Sequence, residues 1–284
     1  MTSPGSAPAT ADQAAKPALI RRGLWWAADY LYAGRRQAAV LEPPWSIGRR
    51  PAPPHWNTGD EGLPEIVLLP GVYEHWTFLK PLGDALSRAG HRVSVVHGLG
   101  INRRGVVETS ERLARSLAET PPPAAGRVIV AHSKGGLIAK HLMVTSGAAA
   151  AAALEGMSGG DAGDAAAAAA APDAATEDDS PLGLRGLVAV CTPFRGSRRA
   201  RYLFVPSIRA LLPTDETIVM LGRESSVNGR IVSIFGQYDP HIPDGSVLEG
   251  ATNVRVPGFG HFRLLGAPQT HRAVIDAVAQ LAST

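Results

Sequence analysis

The chain has 284 residues, 45% hydrophobic and 19% charged, which is enough to bury a sizeable core and excludes a wholly disordered protein. Its 31 glycines and 23 prolines show no collagen-like period, and the one cysteine, Cys191, excludes an intramolecular disulfide and a cysteine-based zinc or iron–sulfur site. The formal net charge of +3 is uneven: residues 147–180 hold seven acids and no base, so the rest of the chain carries +10.

Residues 1–16 are small, polar and proline-containing, and are expected to be disordered. They lack the basic and leucine-rich blocks of a secretory signal, and no apolar run reaches the roughly 18 residues of a spanning helix, so the expected location is cytoplasmic. Residues 17–36 predict an amphipathic helix, with Ile20, Leu24, Ala27 and Leu31 on one face and Arg22, Asp29 and Arg36 on another. Its Trp25, Trp26, Tyr30 and Tyr32 are expected to pack on the chain's own domain; peripheral contact with a membrane surface is the alternative. Six prolines between Pro43 and Pro64 then deny both helix and sheet ladder, which reads as a linker up to residue 60. The main domain is placed at 61–284.

From there, short apolar runs alternate with longer amphipathic stretches: Glu65 to Leu69, Arg92 to Val96, Arg127 to Ala131, Leu187 to Cys191, Ile231 to Phe235 and Asn253 to Val256. Continuous apolar strands separated by helices imply a parallel sheet covered on both faces, so the fold class is α/β, doubly wound and mostly parallel, with about six strands. Residues 147–180 interrupt this rhythm with sixteen alanines, five glycines and seven acids, and read as a disordered surface insertion. The arginines near both termini of the N-terminal helix and at 195–201 come without helix-turn-helix, zinc-finger or aromatic RNA-binding patterns, so nucleic acid is not an expected partner.

The chemistry concentrates in Arg127 to Met143, RVIVAHSKGGLIAKHLM, which reads as strand, sharp turn and helix. A nucleophilic serine is served by that arrangement. The turn lifts the Ser133 hydroxyl above the sheet at a helix N-terminus, and the small Ala131 and Gly135 let strand and helix nearly touch. The base and the orienting acid then belong in later loops at strand ends. Asp239 follows Ile231 to Phe235, and His261 follows Val254 to Val256, which gives the order Ser133, Asp239, His261. Asp244 is the rival acid. Among the other histidines, His132 reads as structural, His97 as a pocket wall and His241 as a substrate contact. Cys191 reads as a small core residue.

These residues resemble the α/β-hydrolase superfamily, in its bacterial esterase and lipase branch, over about Glu65 to Leu281. The carriers are Leu68-Leu69-Pro70-Gly71-Val72, Ala131-His132-Ser133-Lys134-Gly135-Gly136, Asp239, His261, and the Cys191-Thr192-Pro193-Phe194-Arg195-Gly196-Ser197 loop. The resemblance implies a serine hydrolase of small-molecule or lipid carboxylic esters, working through an acyl-enzyme without metal or cofactor. It also implies an oxyanion hole from the backbone N–H groups of Val72 and Lys134. Acyl transfer or thioester cleavage on the same triad, and a non-catalytic binding role, are the alternatives. The sequence departs from the family in Ala131, in Lys134, in the missing opening hairpin over 38–60 and in the alanine-rich insertion. The Lys134 side chain is expected to reach solvent. Residues 195–222 are expected to form a lid, and Tyr73, Phe194, Phe204, His241 and Phe262 are the expected pocket residues.

Overall fold

The computed structural model describes residues 19–38, 51–158, 181–202 and 204–283. The expected disordered N-terminus (1–16), residues 39–50 of the proline-rich stretch and residues 159–180 of the alanine-rich stretch lie outside the described residues.

Six strands build one sheet: β1 (Glu65–Leu69), β2 (Val93–Val95), β3 (Arg127–His132), β4 (Leu184–Val190), β5 (Ile231–Phe235) and β6 (Thr252–Arg255). Every pairing is parallel and the order is β2-β1-β3-β4-β5-β6. Parallel strands need crossovers; four of them carry α2 (Lys80–Arg88), α3 (Val106–Ala118), α4 (Lys134–Ser158), and the short α5 (Pro206–Arg209) with α6 (Glu216–Arg223), while β5 connects to β6 through a loop. The N-terminal helix α1 (Leu19–Ala38) precedes the sheet, and α7 (Pro268–Ala282) closes the chain.

Side chains alternate across a strand, so each apolar strand feeds two cores. Ile66, Leu68, Val128, Val130, Val188, Val190, Val232 and Ile234 face one side, where they meet Leu82 and Leu86 of α2 and Val274, Val278 and Leu281 of α7. Val67, Leu69, Ile129, Ala131, Leu187 and Ala189 face the other, against Leu113, Leu137, Ile138, Ile218 and Leu221 of α3, α4 and α6. The run of Val, Ile and Leu without polar alternation is therefore what a sheet buried on both faces requires.

Two stretches differ from the sequence expectation. Within the stretch read as a linker, Pro54–Asn57 form a 3-10 turn whose Trp56 is fully buried against the α2 side of the sheet. Its indole N–H donates to Asp84 at 3.0 Å, and a Cβ at Gly83 would overlap its ring. Prolines remove ladder hydrogen bonds but do not prevent a large apolar side chain from being buried. In the second stretch, α4 continues through Gly147 to Ser158, because alanine has the highest helix propensity and an existing helix needs no new nucleus.

Between β1 and β3 the chain turns in opposite directions along the sheet, which opens a crevice at the strand C-termini. The loop after β1 carries Gly71 to Glu74, and the loop after β3 is Ser133 itself.

Candidate active site

Ser133 occupies the one-residue turn between β3 and α4 with φ of 51°, a left-handed conformation that is costly for a side chain other than glycine. The surroundings hold it there. The Ser133 N–H donates to Val190 O at 2.9 Å, and the Thr192 hydroxyl donates to Ser133 O at 3.0 Å. A Cβ at Gly135 would lie 2.5 Å from Leu69 O, and one at Gly136 would overlap the Thr192 side chain. The two glycines are thus the condition for α4 starting so close to the ends of β1 and β4.

The loops after β5 and β6 bring Asp239 and His261 to this serine. His261 Nδ1 lies 2.7 Å from Asp239 Oδ2, and His261 Nε2 lies 2.9 Å from Ser133 Oγ. A carboxylate only accepts, so Nδ1 carries the hydrogen and Nε2 is left to accept from the Ser133 hydroxyl. The second Asp239 oxygen accepts the backbone N–H groups of His241 at 2.7 Å and Ile242 at 3.1 Å, which fixes the carboxylate plane. Asp244 does not reach the site; it pairs with Arg198 at 2.6 Å.

No family model and no curated protein sequence matches the chain. Solved structures do match. Lipase BlEst2 of Bacillus licheniformis in its mature form superposes with a TM-score of 0.56 at 12% identity, over 78% of this chain and 94% of that one. Aspergillus fumigatus lipase B gives 0.53 at 14% identity, over 80% of this chain and 55% of that one. The fold is that of the α/β hydrolases. In such a fold the residues at the strand C-termini decide what the chain does.

Charge in this site is balanced by burial and partners. Burial pushes the His261 imidazolium down, but the Asp239 carboxylate and its hydrogen bond, with Glu74 and Asp29 farther off, outweigh it, and the net pKa is raised. Burial likewise pushes the Asp239 carboxyl up, and His261 and then His241 outweigh it to leave the pKa lowered. His241 is driven down to about 3 by burial and then by the charge of His261, against the pull of Asp239, so it is neutral at ordinary pH.

A second buried network adjoins the first. Glu74 accepts the Gly71 N–H at 2.8 Å and lies 2.8 Å and 2.9 Å from His132 Nδ1 through its two oxygens. His132 Nε2 lies 3.1 Å from the backbone oxygen of His261, to which it donates. His132 therefore ties the loop after β1 to the histidine loop, the structural role read for it from sequence. Ligand atoms of His132, Cys191 and His261 also fall within 4.8 Å of one another. All four ring nitrogens of the pair are already engaged in the hydrogen bonds above, and burial raises the Cys191 thiol, so this trio is a poor metal ligand set in the observed arrangement.

Ser133 and His261 open onto a cavity of about 240 Å³ walled by Val72, Tyr73, Ile208, Leu211, Ile242 and Phe262, with Tyr30 of α1 and Arg199 at its edge. Of the expected pocket residues, Tyr73, His241 and Phe262 line it. Phe194 and Phe204 do not. Phe194 is buried in the α4-side core and Phe204 is 87% exposed, while the 3-10 turn Arg198–Tyr202, α5 and the residues just after it present Ala200, Ile208 and Leu211 to the cavity.

Lys134 is a further correction. Its side chain is 1% exposed, and Nζ donates to Asn102 O at 3.0 Å and to Arg104 O. Burial lowers its pKa to about 8, against the pull of Glu108. The loop after β2 folds over the start of α4 and offers two carbonyls, which is why the lysine turns inward rather than to solvent.

Sequence reading missed Asp29 and Glu74. Asp29 is 0% exposed, and its two oxygens accept the backbone N–H groups of His261, Phe262 and Arg263, each at 2.9 Å. Helix α1 therefore meets the domain with the face that carries Trp25, Asp29 and Tyr32, in line with the expected packing of its aromatic residues. Leu24 and Leu31 are 65% and 66% exposed, while Trp25 stacks on Phe259 with ring centroids 3.8 Å apart. The one available signal was an acid one turn after Trp25 and one turn before Tyr32.

Proposed function

We propose that the chain is a serine hydrolase of carboxylic esters. The observation that carries this reading is the hydrogen-bonded line from Ser133 Oγ through His261 to Asp239, buried at the floor of an apolar cavity.

Ser133 Oγ attacks the acyl carbon while His261 Nε2 takes its proton, and the Asp239 carboxylate holds the ring and stabilises the imidazolium. The negative charge that develops on the carbonyl oxygen is received by the backbone N–H groups of Val72 and Lys134. Lys134 is the first residue of α4, where an N–H has no acceptor within the helix, and each such donor is typically worth about 3 to 4 kcal/mol. Glu74 takes the Gly71 N–H and Gly71 O takes the Glu74 N–H, so this loop leaves its donors at Val72 and Tyr73, of which Val72 lies nearer the end of β1. Collapse of the tetrahedral intermediate breaks the ester C–O bond, and the alkoxide leaves with the proton from His261. Water, deprotonated by the same nitrogen, then cleaves the acyl-enzyme and regenerates Ser133. The apolar wall of Ile208, Leu211, Ile242 and Phe262 takes the acyl group, and of the expected lid it is Ser197, Arg199, Ala200, Ile208 and Leu211 that cover the cavity, while α6 packs in the core.

Hydrolysis of a p-nitrophenyl ester series of increasing chain length tests this. Wild-type protein is expected to turn over at least one member, and Ser133→Ala to lower kcat by a factor of about 10³ or more with an unchanged circular dichroism spectrum. Equal turnover by the variant would overturn the reading.

A further inference from the structure

Every polar group of His261 has an assigned partner, and one of these comes from outside the sheet. The side chain lies between Asp239 and Ser133, the backbone oxygen accepts from His132, and the backbone N–H donates to Asp29 of α1. The same carboxylate takes the next two N–H groups, so one fully buried side chain ends three consecutive donors of the histidine loop. We infer that Asp29 is a positioning residue for the general base, and that helix α1, 232 residues away in sequence, is a working part of the active centre rather than an appendage. This rests on the catalytic reading of His261 given above.

Three independent features of the sequence and geometry converge on it. The histidine loop is shaped to admit the carboxylate: Gly260 has φ of 108°, and a Cβ there would lie 2.5 Å from Asp29 Oδ1. The helix is clamped at that place by aromatic contact, Trp25 on Phe259 one turn before Asp29 and Tyr32 against Gly266 one turn after. The same turn also enters the substrate cavity, where Tyr30 lines the wall and Tyr30 and Trp26 pack on His241. A buried carboxylate accepting three amides costs too much to desolvate without those donors, so loop and carboxylate order each other.

Asp29 also adds negative charge beside the imidazolium that forms in catalysis. The groups facing His261 are Asp239 and His241 from the loop after β5, Glu74 from the loop after β1, His132 and Ser133 from β3 and its turn, Cys191 from the end of β4, and Asp29. Asp29 acts in the same direction as Asp239 and Glu74, favouring the protonated ring.

The test compares wild type, Asp29→Asn and Asp29→Ala in the full chain, with kcat, KM and the pH profile for the best ester of the series, and His261 titrated by NMR of its imidazole. Asn keeps one oxygen for the Phe262 and Arg263 amides but sets an amide N–H against the His261 N–H. Both variants are expected to lose about 10- to 100-fold in kcat with KM within about threefold, and the NMR midpoint of His261 is expected to fall in each. Wild-type kcat and an unmoved His261 midpoint in a folded Asp29→Asn protein would overturn the inference. Should Asp29→Ala fail to fold, Gly260→Ala, which keeps Asp29 but intrudes on its carboxylate, is expected to lower kcat in the same way, and full activity there would overturn it. The NMR titration separates the two readings, because the His261 midpoint responds to Asp29 whether or not any ester is turned over.

Discussion

Asp239 and Asp244 lie five residues apart in one loop, and the sequence offers either as the acid. The geometry separates them: Asp239 meets His261 Nδ1 at 2.7 Å in a buried site, whereas Asp244 holds the exposed Arg198. Asp239→Asn reverses the hydrogen-bond polarity at Nδ1 and is expected to lower kcat/KM about 10³- to 10⁴-fold. Asp244→Asn breaks a largely solvated ion pair worth at most about 1 kcal/mol and leaves kcat/KM within about threefold. Wild-type kcat/KM is also expected to rise with pH through a midpoint above that of an ordinary imidazole, because the base must be neutral and its pKa is raised. A profile with its acid limb below pH 6.5 would contradict this assignment, the ordinary imidazole value being about 6.5.

Lys140 belongs to the same scale. It is buried in the α4-side core, 6.0 Å from the Phe194 ring, and its Nζ has no hydrogen-bond partner among the described residues. Burial lowers its pKa to about 8, against Glu224. The folded state then binds a proton less readily than the unfolded chain. The penalty is full below about pH 8 and fades as pH rises from there toward the unfolded lysine value of about 10.4. Lys140→Met is therefore expected to stabilise the protein at pH 7 by about 1 to 3 kcal/mol, with the advantage shrinking at pH 10. Urea midpoints at the two pH values check it, and an advantage that grows with pH would contradict it.

At the scale of the element, strands were the most legible feature. Glu65–Leu69 and Ile231–Phe235 have the expected bounds, because a strand buried on both faces is an apolar run that glycine or proline must close. The turn at Ser133 was legible for a related reason: strand and helix can touch only over small residues, and Gly135 and Gly136 announce that contact. Helix α1 was legible as a helix, and its aromatic residues as the part that packs on the domain, but the role of Asp29 was not. Periodicity counts apolar residues and so assigns Leu24 and Leu31 inward, yet the surface α1 meets is a loop of bare N–H groups that a leucine cannot satisfy and Asp29 can. Leu24→Ser and Leu31→Ser are accordingly expected to change stability by no more than about 0.5 kcal/mol. Trp25→Ala, which removes the ring stacked on Phe259, is expected to cost more than either. A reversed ranking in urea denaturation would place α1 the other way round.

Across the whole molecule, the site is assembled from residues far apart in sequence: Asp29, Glu74, Ser133, Asp239 and His261 come from α1 and the loops after β1, β3, β5 and β6. The sheet order makes this convergence unavoidable, since it brings all those loops to one edge and leaves the crevice between β1 and β3 open. The convergence of Ser133, Asp239 and His261 was legible because each lies at or in the loop after the C-terminal end of a strand. Glu74 and Lys134 were not, because their roles depend on which loop folds over them: Lys134 turns inward only because the carbonyls of Asn102 and Arg104 lie above it. Phe194 and Phe204 mislead for the same reason, being apolar residues near the site whose facing is set by turns with no sequence period. No described helix is long and apolar enough to cross a membrane. Tyr30 of α1 lines the cavity together with Ser197, Arg199, Ala200, Ile208 and Leu211.

Whether Ser133 is an activated nucleophile is read most directly by intact-mass measurement after exposure to a fluorophosphonate. One adduct on the wild-type protein, mapped to Ser133, absent from Ser133→Ala and slowed in Asp239→Asn, is the predicted result. A folded wild-type protein that gains no adduct, or an adduct that persists in Ser133→Ala, would contradict it.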